Sequence, residues 1–172
     1  MTFAPRWETA VRTGGDRPAG MTAGSSVHVA LRNCPAFIAI WLACARSGAW
    51  LVPVDPTSTA RDIGRQLDRV RPAAGICAAS RADVYAAGVA ESAAGRRTVI
   101  ELTETAADVA LAADLAGTTA GVAGPVAAVA PADRLAVMFT SGTTSEPKGV
   151  VLTQHNYAQV ADAMSEIGRA HV

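Results

Sequence analysis

A polar segment near the end of the chain carries the residue types that phosphate binding requires. Residues 139–150 read Phe-Thr-Ser-Gly-Thr-Thr-Ser-Glu-Pro-Lys-Gly-Val and include Lys148, the only lysine among 172 residues. Hydroxyl side chains donate hydrogen bonds to phosphate oxygens, a lysine adds a compact positive charge, and glycines let backbone N–H groups turn inward. We therefore predict a polyphosphate-binding loop. Its binding residues are expected to be Thr140, Ser141, Gly142, Thr143, Thr144, Ser145, Glu146, Pro147, Lys148 and Gly149.

Two other interpretations of this segment were weighed. A Walker A loop has Gly-Lys-Ser/Thr leading into a helix. Here Pro147 precedes the lysine, Gly149 follows it, and the strand-like residues 150–152 come next. That alternative therefore fails. A purely structural hairpin loop between two strands stays open, because Ser, Thr and Gly are common in such loops.

The elements that position this loop alternate between strands and helices. Apolar runs predict strands at 27–31, 50–54, 74–78, 98–102 and 135–139. Helical spacing predicts helices at 35–47, 60–70, 81–92 and 105–115, and a last one from His155 or Asn156 to 167. Residues 117–131 are predicted to be an internal loop or linker. This order predicts an α/β fold, with a layered parallel or mixed sheet and flanking helices. Such sheets bind their ligands at the carboxyl ends of the strands.

Details of this pattern give further expectations. The first helix is expected to bury Phe37, Ile38, Trp41, Leu42 and Ala45. Pro53 indicates a strand end or a sheet edge. His28 is expected to be structural. His155 is expected to be a hydrogen-bonded residue of a helix N-terminus, with a polar role near a substrate pocket as the alternative.

Bulk properties exclude several classes of function. The formal net charge is zero, so no electrostatic field favours nucleic acid or an anionic membrane. The three cysteines have no metal-ligand spacing and predict reduced thiols in a cytoplasmic protein. The most apolar stretch, 35–54, is interrupted by Arg46, Gly48 and Pro53, which argues against a membrane span. We expect no metal site in the chain.

The segment 139–150 closely resembles the signature of the adenylate-forming enzymes, Thr-Ser-Gly-Thr-Thr-Gly-x-Pro-Lys-Gly. Ser145 stands where glycine is usual, and a similar variant occurs among carnitine/crotonobetaine-type CoA ligases. Residues 32–37, 41–49 and 52–56 are similar to an upstream block of the family, and 152–156 to its Leu-Thr-His-x-Asn stretch.

The resemblance implies an acyl-CoA synthetase that activates a carboxylic acid with ATP and passes it to a thiol, CoA or a carrier protein. It implies catalytic roles for Lys148 and Thr143, and Mg²⁺ ligands beyond this chain. Residues 1–172 would be an incomplete N-terminal ATP- and acid-binding domain without the C-terminal domain, and inactive alone. The acid and the oligomeric state stay open. The alternative is a truncated, non-catalytic nucleotide-binding or scaffold module.

Overall fold

The structure, a computed structural model, describes residues 23–95, 98–106, 108, 128–140 and 148–169. Its strands are β1 (Ser26–Ala30), β2 (Trp50–Pro53), β3 (Ala74–Ala78), β4 (Thr98–Leu102), β5 (Arg134–Thr140) and β6 (Lys148–Thr153). Its helices are α1 (Pro35–Ser47), α2 (Ala60–Val70), α3 (Ala82–Glu91) and α4 (Gln154–Arg169), with a 3₁₀ turn at Ala79–Arg81. All five predicted strands are confirmed within one residue at each end. Of the predicted linker and the helix at 105–115, most residues lie outside the described part.

One mixed sheet joins all six strands in the order β4-β3-β1-β2-β5-β6. The first five strands are parallel, and β6 runs antiparallel to β5. The predicted α/β architecture is therefore confirmed. Pro53 closes β2, which lies between β1 and β5, so the strand-end prediction is correct and the sheet-edge prediction is wrong.

Helices cover both faces of the sheet. On one face, Ile40 and Cys44 of α1 pack with Val29 and Ile76. On the other, residues of α2 and α3 pack with Ala30 and Cys77: Ile63, Leu67 and Tyr85. Neighbouring residues of a strand point to opposite faces, so the two clusters form separate layers of core.

Helix α1 buries only part of the predicted face: Phe37 and Trp41 are partly buried against the core cluster. Pro35 opens it and Gly48 ends it in the left-handed conformation, as expected. Ala36, Ile40 and Cys44 face the sheet, whereas Ile38 and Leu42 are exposed at 56% and 64%. The small Ala36 and Cys44 side chains let the helix lie close to the strands, which leaves the bulkier positions at its flank or outside.

The other face of the sheet contains a buried polar group. His28 is fully buried, with its Nδ1 2.8 Å from Tyr85 Oη and its Nε2 3.1 Å from Gln66 Oε1. A buried imidazole needs such partners, because an unsatisfied polar group costs about 1–3 kcal/mol. His28 thus joins β1 to α2 and α3, as the predicted structural role requires.

Candidate phosphate-binding hairpin

The predicted phosphate loop closes a β-hairpin. Six residue pairs join β5 to β6, and the last of them places Thr140 opposite Lys148. Lys148 and Gly149 therefore begin β6, which corrects their placement in the loop; cross-strand pairing extends further toward the turn than the loop composition indicated. The other predicted binding residues lie outside the described part of the chain: Ser141, Gly142, Thr143, Thr144, Ser145, Glu146 and Pro147.

The hairpin opens at the edge where the parallel strands end. Because β5 runs parallel to β2, Thr140 lies at the same edge as the segments that follow β1 to β4. Sheets of this type bind their ligands at that edge. The Lys148 side chain is exposed there, at the mouth of the loop. Of the predicted binding residues, the described part of the chain thus includes Thr140, Lys148 and Gly149, and the Lys148 side chain is accessible to a ligand.

Two contacts that the sequence did not predict order neighbouring loops at this edge. After β4, Glu104 accepts hydrogen bonds from the backbone N–H and the Nε of Arg32, which follows β1; the Nε contact is 2.9 Å. After β2, Oδ1 of Asp55 accepts two hydrogen bonds from Thr57, one from its hydroxyl at 2.6 Å and one from its backbone N–H at 2.7 Å. The Thr57 hydrogen bonds lower the pKa of Asp55. Arg32 and Glu104 are 72 positions apart, so no local spacing rule predicts their contact, whereas the Asp55–Thr57 contact is a local turn of the kind that aspartate commonly forms.

The opposite end of the hairpin is fixed by the start of α4. Thr153 and Asn156 exchange a reciprocal pair of hydrogen bonds that caps the helix. Helix α4 therefore begins at Gln154, slightly earlier than predicted. The N–H groups of Gln154 and His155 donate to the carbonyls of Asp133 and Pro131. His155 is thus a helix N-terminal residue with a satisfied backbone, at the edge away from the loop.

The described residues were compared with the ligand groups that metal sites require. Within these ranges, no group of three or more His, Cys, Asp or Glu side chains is placed to hold a metal ion. The described helices also include none that is long and apolar enough to cross a membrane.

Comparisons with known proteins identify the family. The family model for AMP-binding enzymes matches residues 17–171. A crotonobetaine/carnitine–CoA ligase of Escherichia coli is 31% identical over 145 residues, which cover 80% of this chain and 27% of the ligase. The chain therefore spans about a quarter of the length of this curated relative.

Solved structures show the same fold. ATP-bound MatB from Rhodopseudomonas palustris has a TM-score of 0.71 at 22% identity, covering 95% of this chain and 31% of MatB. A benzoate CoA ligase from Burkholderia xenovorans LB400 has a TM-score of 0.68 at 21% identity, covering 93% and 29%. With the family match over nearly the whole chain, these similarities show that the protein belongs to the AMP-binding enzyme family.

Proposed function

We propose that the chain is the N-terminal, phosphate-binding part of an ATP-dependent acid–thiol ligase that uses CoA. Membership of the AMP-binding family and 31% identity to a CoA ligase support the reaction class. The observation that carries the proposal is the β5–β6 register, which sets Lys148 opposite Thr140 at the carboxyl edge of the sheet. A cytoplasmic location is predicted for such an enzyme.

The proposed reaction has two steps. A substrate carboxylate oxygen forms a bond to the α-phosphorus of ATP. The bond between the α-phosphorus and the oxygen bridging to the β-phosphorus breaks, and pyrophosphate leaves. The sulfur of CoA then attacks the acyl carbon of the adenylate, AMP leaves, and the thiol proton is released. Lys148 would neutralise the departing pyrophosphate, while Thr140, Thr143 and the other hydroxyls of residues 140–145 orient its oxygens.

Magnesium is the metal that accompanies ATP in such reactions. It prefers carboxylate and phosphate oxygens in octahedral geometry. Among the described residues, no group of three or more His, Cys, Asp or Glu side chains is placed to hold a metal ion. We propose that the protein ligands of Mg²⁺ lie beyond this chain, and we assign no step of this chain's chemistry to the metal.

The test separates the two half-reactions in the full-length protein. Lys148→Ala should slow ATP–pyrophosphate exchange, because the proposed partner of Lys148 exists only in the first step. A charge-assisted hydrogen bond contributes about 1.5–3 kcal/mol. The expected loss is therefore roughly tenfold to a hundredfold. Thioester formation from pre-made acyl-adenylate should change little.

Two variants serve as controls. Lys148→Arg should recover part of the exchange, since a planar guanidinium does not replace a compact ammonium. Arg61→Ala removes an exposed cation on α2 and should leave exchange unchanged. Equal losses in both half-reactions, or none in either, would show that Lys148 does not bind the leaving group. Pyrophosphate binding without any exchange would favour the non-catalytic module instead.

A further inference from the structure

The residue pair directly inside the mouth of the hairpin has an unusual composition. Phe139 of β5 lies opposite Gly149 of β6, next to the pair formed by Thr140 and Lys148. A Cβ added at Gly149 would lie 3.0 Å from Cγ1 of Val137 and 3.5 Å from Cε1 of Phe139. The space above the glycine is therefore already occupied by two side chains of the facing strand.

Phe139 is itself held by the middle of the sheet. It packs against a buried cluster formed by Trp50, Val52 and Val137. Trp50 and Val52 belong to β2, an interior strand. A glycine inside a strand weakens the strand, because it packs no side chain and loses more backbone entropy on folding. An aromatic ring across the ladder compensates for that weakness.

The pair discriminates between registers of the hairpin. A shift of one residue moves every side chain of a strand to the opposite face of the sheet. Such a shift would bring Lys148 or Val150 to the position opposite Phe139, where even a single Cβ is crowded. It would also turn the Lys148 ammonium to the face that Phe139 occupies. The observed register therefore suits both the ring and the lysine better than a register shifted by one residue.

We propose that Phe139 and Gly149 are positioning residues, which fix the register that holds Lys148 opposite Thr140 and thereby aim its ammonium at the bound phosphates. The phosphate role of Lys148 rests on the proposed function. The register role of Phe139 rests on the cross-strand geometry alone. The two can therefore be tested separately.

The functional arm is a double-mutant cycle in the full-length protein, read by ATP–pyrophosphate exchange. Phe139→Ala should lower exchange about tenfold, because small misplacements of a binding group are costly. In a Lys148→Ala background the same change should have little further effect, since Phe139 acts through Lys148. Val151 is about half exposed and lies on the same face of β6 as Gly149, so Val151→Ala should leave exchange unchanged. If the loss of exchange in the double mutant equals the product of the losses in Phe139→Ala and Lys148→Ala, the two residues act independently and the proposal is overturned.

The structural arm uses the 172-residue chain and does not depend on activity. Wild-type and Val151→Ala chains should show nuclear Overhauser contacts between the Phe139 ring and the Gly149 Hα, and between the backbones of Thr140 and Lys148. In Phe139→Ala the Thr140–Lys148 contact should weaken or disappear, and Phe139→Leu should retain part of it. An unchanged contact in Phe139→Ala would refute the register role. If the wild-type enzyme shows no exchange, the proposed function is refuted, and the structural arm still decides whether Phe139 fixes the register.

Discussion

At the scale of single residues, the three cysteines differ in their access to water. Cys44 on α1 and Cys77 on β3 are exposed at 3% and 0%. Burial raises the pKa of the Cys44 thiol to about 12. Burial, and then the nearby charge of Glu101, raises the pKa of Cys77 to about 11. Cys34, just before α1, is partly exposed.

These environments predict selective modification. The thiolate is the reactive form, so at pH 8 the two buried thiols would be ionised in only about 0.1% of molecules or fewer. Brief treatment of the folded chain with iodoacetamide should label Cys34 alone, and treatment in denaturant should label all three. Peptide mass spectrometry identifies the sites. Rapid labelling of Cys44 in the folded chain would show that this face of α1 is not packed against the sheet.

At this scale the sequence could propose a site but not its geometry. The residue types of the 139–150 segment led to the prediction of phosphate binding, and the structure places two of the predicted residues, Thr140 and Lys148, opposite each other. The sequence could not show that pairing continues to Lys148, because hairpin pairing depends on both strands. The same limit hid Phe139, whose position opposite Gly149 is a property of the register and not of either residue.

At the scale of elements, local sequence signals predict where helices begin and end, whereas packing between distant parts of the chain decides which helix face is buried. The Thr59 cap of α2 and the glycine end of α1 follow from short-range hydrogen bonding and backbone geometry, so the sequence predicts them. The buried face of α1 was predicted correctly only in part: Phe37 and Trp41 pack against the core cluster, whereas Ile38 and Leu42 are exposed. Which face of a helix meets the sheet depends on the strands that it packs against, and the helix sequence alone does not encode them.

Two residues of α1 test this assignment directly. Ile40 is 3% exposed and Leu42 is 64% exposed. Ile40→Ala leaves a cavity and should lower the free energy of unfolding by about 2–5 kcal/mol. Leu42→Ala should change it by less than about 0.5 kcal/mol, as other exposed substitutions do. Urea denaturation followed by circular dichroism measures both. Equal destabilisation by the two variants would mean that α1 is rotated relative to the sheet.

At the scale of the whole molecule, apolar surface gathers at the β6 and α4 end. Val150 and Val151 of β6 are about half exposed, and α4 carries an exposed stripe at helical spacing: Val160, Met164 and Ile167. Tyr157 packs this helix against the core cluster, with its ring centroid 5.1 Å from that of Trp41. A helix with an unpartnered apolar stripe is typical of a surface that contacts further protein. The 27% coverage of the curated ligase agrees with the proposal of a larger enzyme.

The last prediction concerns activity and follows from that proposal. We expect the 172-residue chain alone to form no acyl-adenylate. Adenylation needs charge stabilisation at both the α-phosphate and the leaving pyrophosphate. In the proposed assignment Lys148 stabilises the pyrophosphate, and we expect the groups that stabilise the α-phosphate to lie in the rest of the full-length protein.

The measurement is ATP–pyrophosphate exchange by the mass-verified chain, with the full-length protein as positive control and calorimetric titration of inorganic pyrophosphate as a separate binding assay. The chain should bind pyrophosphate weakly through Lys148 and show no exchange with any carboxylic acid that the full-length protein activates. Lys148→Ala should abolish the binding. Exchange by the chain itself, lost in Lys148→Ala, would contradict the prediction, because it would place the complete adenylation chemistry within these 172 residues.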